Sequence, residues 1–250
     1  EGADEMLGGY NLFKEMMIRR FWAKDPDSKY RPLLLSKLYP YLPRLRKMSP
    51  SALKMFFGYR LNDVDSVIYS HLLRWHNTSR ITKMMVPVAG EVPDFVEQLE
   101  SEWTPLLAGS SSLAKAQYIE TRIFMSGYLL SSQGDRMAMA NSVEGRYPFL
   151  DHRVMEFCAT LPDEFKLNGL KEKFLLKYRY KNQLPHEVVT RSKQAYRAPL
   201  HTPFLNEQSD AYVRNMLSPE LTQAAGVFQP KAIDLLLRKL TREQTSSEVD

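Results

Sequence analysis

The chain has 250 residues, 44% of them hydrophobic, and a formal net charge of +5. That is enough to bury a sizeable core as one large domain or two small ones, and the single cysteine, Cys158, excludes an intramolecular disulfide and suits a reducing compartment. The positive excess is spread out with no basic tail and no apolar run approaches a membrane span, so a cytoplasmic protein is expected, with neither nucleic acid nor membrane as a partner.

Glu1-Gly2-Ala3-Asp4-Glu5-Met6-Leu7-Gly8-Gly9-Tyr10 opens the chain with three carboxylates in five residues and a Gly-Gly pair. Carboxylates held together repel unless a cation or proton compensates. On a helix Glu1 and Asp4 share a face, and Gly2 lets backbone or ligand come close. The pattern suits a Mg²⁺ site beside phosphates, or else an acidic surface turn.

From Asn11 to Lys24 the apolar residues Leu12, Phe13, Met16, Met17, Phe21 and Trp22 predict a helix with one buried face. Pro26, Pro32, Pro40 and Pro43 break the next stretch. Ser49-Pro50 reads as a cap with proline at the first helical position, opening a helix to Tyr59. Asn62 or Asp63 caps a predicted helix through Trp75, with Val64, Val67, Ile68 and Leu72 on one side. Helices follow over Pro93–Trp103, Leu113–Ser132 and Arg136–Ser142, then one capped by Asp151 and ending before Pro162. Lys171–Gln183 and Pro230–Arg242 complete the set. Tyr147–Leu150 and Phe165–Leu167 are the only extended candidates, and there is no internal repeat. The fold class is therefore mostly α, with irregular stretches at Val86–Val92, Gly145–Asp151 and Val189–Thr202, where function concentrates.

Two further stretches carry chemistry. Gly134 to Asp151 interleaves small residues with Met, then crowds Glu144, Arg146 and Asp151 into a proline-bearing turn. Val189 to Pro199 holds Arg191, Lys193 and Arg197 without a helical apolar stripe, suited to gripping phosphates from a loop. Other features read as ordinary. The histidines His71, His76, His152, His186 and His201 lack metal-ligand spacing. Lys173, Lys177 and Lys181 form an i, i+4, i+8 row that reads as a solvated face, with an anionic partner surface as its alternative. Phe174 and Tyr178 read as core, and so does Cys158.

In this order, the three stretches resemble the synthetase domain of glutamine-dependent asparagine synthetases. Glu1 to Tyr10 is similar to the family's S-G-E-G-A/S-D-E-x-x-G-G-Y from its first Glu onward. Asp135 through Asp151 resembles D-R-x-x-M-A-x-S-x-E-x-R-x-P-F-L-D, and Arg191 with Lys193 matches a later R-x-K segment. The likeness covers most of Glu1–Pro199, and beyond Thr202 no motif is found.

The resemblance implies the C-terminal, helical portion of an α/β adenine-nucleotide α-hydrolase-like domain whose parallel-strand core lies upstream, with 203–250 as a helical tail. It implies ATP and Mg²⁺ as cofactors and aspartate as substrate. The β-carboxylate would attack the α-phosphate to give an acyl-adenylate and pyrophosphate, and ammonia derived from glutamine by an N-terminal glutaminase domain would displace AMP. Asp4 matches the metal-holding aspartate, and Glu1 the glutamate that takes a proton from ammonia. Lys193, with Arg191, matches the cations on the phosphates. Glu1, Gly2, Asp135 and Glu144 fall where the family lines the acyl-adenylate pocket, while Arg146 is read as structural.

Gly145, Tyr147 and Met6-Leu7 depart from the family's usual residues, which leaves another carboxylate, as in polysaccharide or antibiotic pathways, as an alternative substrate. A non-catalytic helical binding module is the second class, and homodimerisation is left open. The family's S-G-G-x-D-S pyrophosphate loop is not in this sequence, so the segment by itself is expected to bind ATP poorly and to catalyse nothing.

Overall fold

A computed structural model describes residues 1–39, 47–87, 94–191, 193–194 and 210–242. The chain divides into two compact units, one of Glu1–Leu73 with Asp94–Lys193 and one of Arg74–Pro93 with Gln194–Asp250. Helices dominate the described residues, and no helix among them is long and apolar enough to cross a membrane. The mostly α expectation is met.

In the first unit, a one-turn helix at Ala3–Met6 leads through Gly8-Gly9 into the Asn11–Ala23 helix. The latter buries Leu12, Phe13, Met16, Ile18 and Trp22. Two members of the expected stripe are different: Met17 is 42% and Phe21 45% exposed. Their places inside are taken by Lys14, Glu15 and Arg19, each buried. Arg19 donates to the carbonyls of Tyr59 and Tyr69 at 2.5 and 3.4 Å, which is how so large a cation is tolerated there.

Ser49 caps the Pro50–Phe57 helix through the Ala52 amide, as its position predicts. The helix expected from Asn62 starts later, at Tyr69, and runs to Ser79. Residues 58–69 instead chain successive three-residue hydrogen bonds, Leu61 to Gly58, Asp63 to Arg60 and Ser66 to Asp63, with Arg60 left-handed at φ 47°. Asp94 caps Phe95–Leu106, and Ser111 caps Ser112–Ile119. That helix continues over Glu120–Gln133 with the wider π winding, closed by Gly134 N–H donating to the Leu129 carbonyl at 2.6 Å.

Asp135–Ala140 and His152–Thr160 are helical, the second capped by Asp151 as expected. Between them, the predicted extended piece at Tyr147–Leu150 is a 3₁₀ turn over Pro148–Leu150, because proline at its start fixes a helical φ. Of the other extended candidate, Phe165–Leu167, only Leu167 is extended: Asp163–Lys166 is helical, and β1 (Leu167–Asn168) pairs antiparallel with β2 (Lys171–Glu172). The helix expected from Lys171 therefore begins only at Phe174 and ends at Tyr180. Apolar clusters among the described residues hold the unit, and one packs Met6 and Leu7 against the buried Cys158.

In the second unit, helices at Asp210–Met216, Pro219–Ala225 and Pro230–Arg242 are described. Ser218 caps the middle one and left-handed Gly226 ends it. An antiparallel bridge joins Met85 to Phe228. The 203–209 segment, His201 and most of the irregular stretches at Val86–Val92 and Val189–Thr202 lie outside the described residues; Val189 and Thr190 end a short helix begun at His186.

Candidate active site

The three sequence signatures converge in the first unit. Gly2 adopts φ 88°, and a Cβ there would lie 2.5 Å from Leu150 Cδ2 and 3.0 Å from the Phe149 carbonyl oxygen. Only glycine allows the first signature to pack this closely on the second. Glu1 is exposed, and its Oε1 reaches to 3.4 Å from where a Cβ on Gly134 would stand, beside Asp135.

Asp4 links the first signature to the third. Lys193 Nζ donates to its Oδ2 at 3.1 Å, and Lys173 Nζ lies 2.9 Å from its Oδ1. The Lys173 contact is a Coulomb pair without a donor's alignment, so Oδ1 is buried yet accepts no hydrogen bond. Gly9 closes the back: a Cβ there would sit 1.9 Å from Asp4 Oδ1 and 2.6 Å from Lys173 Cε. Glycine at position 9 is thus needed to admit Asp4 and Lys173 to one place.

Tyr10 follows. Its hydroxyl donates to the buried Glu5 carboxylate at 2.6 Å, and its ring lies 5.6 Å from Lys193 Nζ. Burial raises the Glu5 carboxyl above its ordinary range, and the Tyr10 bond pulls the other way. Gln117 holds the end of the Ala3–Met6 helix by donating to the Glu5 and Met6 carbonyls at 2.6 and 2.8 Å.

Lys173 is the residue that sequence reasoning set aside. The Lys173–Lys177–Lys181 row is not a uniformly solvated face: Lys173 pairs with Asp4 and Lys177 with buried Glu172, while Lys181 is exposed and lies over the Tyr178 ring. The reason is local. Lys173 has left-handed backbone, φ 50°, and its N–H donates to the Leu7 carbonyl, so the chain turns sharply between β2 and the next helix. Helical spacing does not apply across that turn. A lysine directly before a helix and after a tight hairpin was the available signal. Tyr178, expected in the core, is 59% exposed and stacks on Phe174.

Glu172 forms a second charge centre. Lys14 Nζ reaches its Oε2 at 2.6 Å, and Lys177 Nζ and the Lys193 amide donate to Oε1 at 2.8 and 3.0 Å. Burial alone would raise this carboxyl, but the bonds from Lys14 and Lys177 outweigh it and bring it down to about 2.

The other predicted residues stand apart from these contacts. Glu144 is exposed and pairs with Arg146 at 2.7 Å, and Asp135 begins its helix partly exposed. The Arg191 carbonyl accepts from Lys177 Nζ at 3.0 Å, and its side chain is exposed. Asp151 serves its helix cap and a bidentate pair with Arg153, whose hydrogen bonds hold its carboxyl low. Gly145 and Tyr147, two departures from the signature, form one arrangement: a Cβ on Gly145 would lie 2.4 Å from the Tyr147 hydroxyl.

Over residues 1–249 the chain matches the family model described as asparagine synthase. The chain belongs to the asparagine synthase family. It is 27% identical to asparagine synthetase [glutamine-hydrolyzing] 1 of Bacillus subtilis (strain 168), over 90% of this chain and 34% of that protein. It is 28% identical to amidase chyE of Penicillium rubens, over 80% of this chain and 31% of that protein. A shorter match, 40% identical over 26% of this chain and 12% of the relative, is to asparagine synthetase [glutamine-hydrolyzing] of Gallus gallus. The chain thus spans about a third of the length of the first two relatives. No solved structure matches it.

Proposed function

We propose that this segment of the asparagine synthase family supplies the phosphate-handling side of an ATP-dependent, amide-forming synthetase of the cytoplasm. The observation that carries the reading is Asp4 held between Lys173 and Lys193 over a floor that tolerates only glycine at position 9. One carboxylate between two ammonium groups is a charge arrangement that a magnesium pyrophosphate can take apart, with Asp4 turning to the metal and the lysines to phosphate oxygens.

The residues fit such a metal. Asp4 Oδ1 is buried with an unused acceptor site, and a Mg²⁺ beside ATP needs only one or two protein carboxylates. Asp4 would hold it. When bound, the ion neutralises phosphate charge and makes pyrophosphate a better leaving group.

The chain's own residues then divide the work. A substrate carboxylate, aspartate first among candidates, attacks the α-phosphorus, and the bond to pyrophosphate breaks. Lys173 and Lys193 stabilise the charge gathering on the departing oxygens. Ammonia, derived from glutamine, attacks the acyl carbon; Glu1 takes its proton, and the bond to AMP breaks. Glu1, Gly2, Asp135 and Glu144 are assigned to the acyl-adenylate side, and Arg191 to the phosphates.

A second substrate reading is favoured by the amidase match, whose 28% identity is level with the 27% of the Bacillus synthetase: the activated acid is then a carboxylate other than aspartate.

The test is AMP release by the complete protein with ATP and Mg²⁺, screening aspartate against other carboxylates, each with glutamine or ammonia. Carboxylate-dependent AMP formation that is lost in Glu1→Ala, Asp4→Ala and Lys193→Ala is the expected result. Wild-type rates in all three variants would remove the site assignment.

A further inference from the structure

Glu172 takes no part in the chemistry just described, yet it is among the least exposed charged groups, at 4%. Its bonds go to two kinds of partner. Lys14, from the Asn11–Ala23 helix, and Lys177 neutralise its charge. The Lys193 amide donates to it, and Lys177 in turn donates to the Arg191 carbonyl. The pair therefore grips main chain at residues 191 and 193, the two ends of the R-x-K segment.

A lysine ammonium stands on a flexible four-carbon stem, and where it can reach is set by where its backbone is held. Holding the Lys193 amide at 3.0 Å from Glu172 leaves its Nζ on Asp4 at 3.1 Å. The adjacent residues Glu172 and Lys173 thus deliver both cations to Asp4, Lys173 directly and Lys193 through Glu172. We infer that Glu172 and Lys177 are positioning residues that latch the backbone of residues 191 and 193 and so keep Lys193 at the phosphate site. The effect on ATP rests on the function proposed above; the latch itself does not. Glu172 stays ionised far below neutral pH, so the latch stays closed across the working range.

The alternative is an ion cluster that merely stabilises the fold, and two measurements on the complete protein separate them. The first is native-state trypsin cleavage after Arg191 and Lys193, comparing wild type with Lys177→Met, Lys177→Arg and Glu172→Gln. The latch requires cleavage about tenfold faster in Lys177→Met, the weight of one charge-assisted hydrogen bond, and near wild type in Lys177→Arg, whose guanidinium can still bridge carboxylate and carbonyl. Glu172→Gln retains an acceptor for the Lys193 amide and falls between them. Unchanged cleavage in Lys177→Met, with circular dichroism showing it folded, overturns the latch.

The second is a double-mutant cycle on the Mg·ATP dissociation constant. Lys177→Met should weaken Mg·ATP about tenfold in the wild-type background and less than twofold when Lys193 is already alanine. An equal loss in both backgrounds overturns positioning through Lys193. A complete protein that binds no Mg·ATP refutes the phosphate-site function, and the trypsin comparison still decides the latch.

Discussion

Two carboxylates in one unit each gather two lysines, and they do opposite things. Asp4 is 16% exposed at the side chain, with one oxygen bonded to Lys193 and the other accepting no hydrogen bond. Glu172 is 5% exposed, and both of its oxygens are fully occupied. An ion pair that ligand or water can reach exchanges partners at little cost, since screening keeps its strength small. One sealed from water is locked, because removing either partner strands a buried charge. The same chemistry thus makes a binding site at Asp4 and an anchor at Glu172.

The largest effect should come from the open centre. Asp4→Ala is expected to lower AMP formation by the complete protein about a hundredfold or more. It should move the urea midpoint by less than ~1 kcal/mol of stability, because Lys173 and Lys193 can rehydrate. A large stability loss with retained activity would reverse the assignment of the two centres. Glu172→Ala should do the opposite, destabilising by about 3–5 kcal/mol in urea titrations because Lys14 is left buried and unpaired.

Acid sharpens the contrast. The Glu172 carboxyl is held at about 2 against an ordinary 4.5. Its contribution, on the order of 3 kcal/mol, is present above about 4.5 and fades as pH falls toward 2. Glu5, raised by burial, works the other way: its ionised form costs stability, and that cost is relieved as pH falls. Comparing urea stability at pH 6 and pH 3 in wild type and Glu172→Gln isolates the Glu172 part, and the gap between the two proteins should narrow in acid.

Gly9→Ala comes next. Its methyl would collide with Asp4 and Lys173, which overpacking places at about 1–3 kcal/mol, and Mg·ATP titration should show weaker binding. Lys181→Ala is the control from the same lysine row. Thermal melts should show less than about 0.5 kcal/mol change, with AMP formation unaltered.

Much of the helical framework was legible in one dimension. Ser49 and Asp151 cap their helices through short-range bonds that neighbouring residues specify. The apolar pattern of Asn11–Ala23 marks a helix, though Lys14, Glu15 and Arg19 are inside and Met17 and Phe21 are not. Periodicity marks apolar side chains and is blind to charges that are buried because they have partners far along the chain. The lysine row failed similarly, since a left-handed residue at Lys173 breaks the helical register on which the row was drawn.

For the site, the sequence alone determined which chemistry is in hand: carboxylates beside a Gly-Gly pair, an acidic proline-bearing turn and a late pair of cations, in an order that marks the family. Only the tertiary structure decided how those groups are used. It brought Asp4 and Lys193 together across most of the first unit, recruited Lys173, and sank Glu172 where it grips main chain. Charge type is written residue by residue, but exposure and partnership arise from contacts between distant segments. Those two properties separate a site from an anchor.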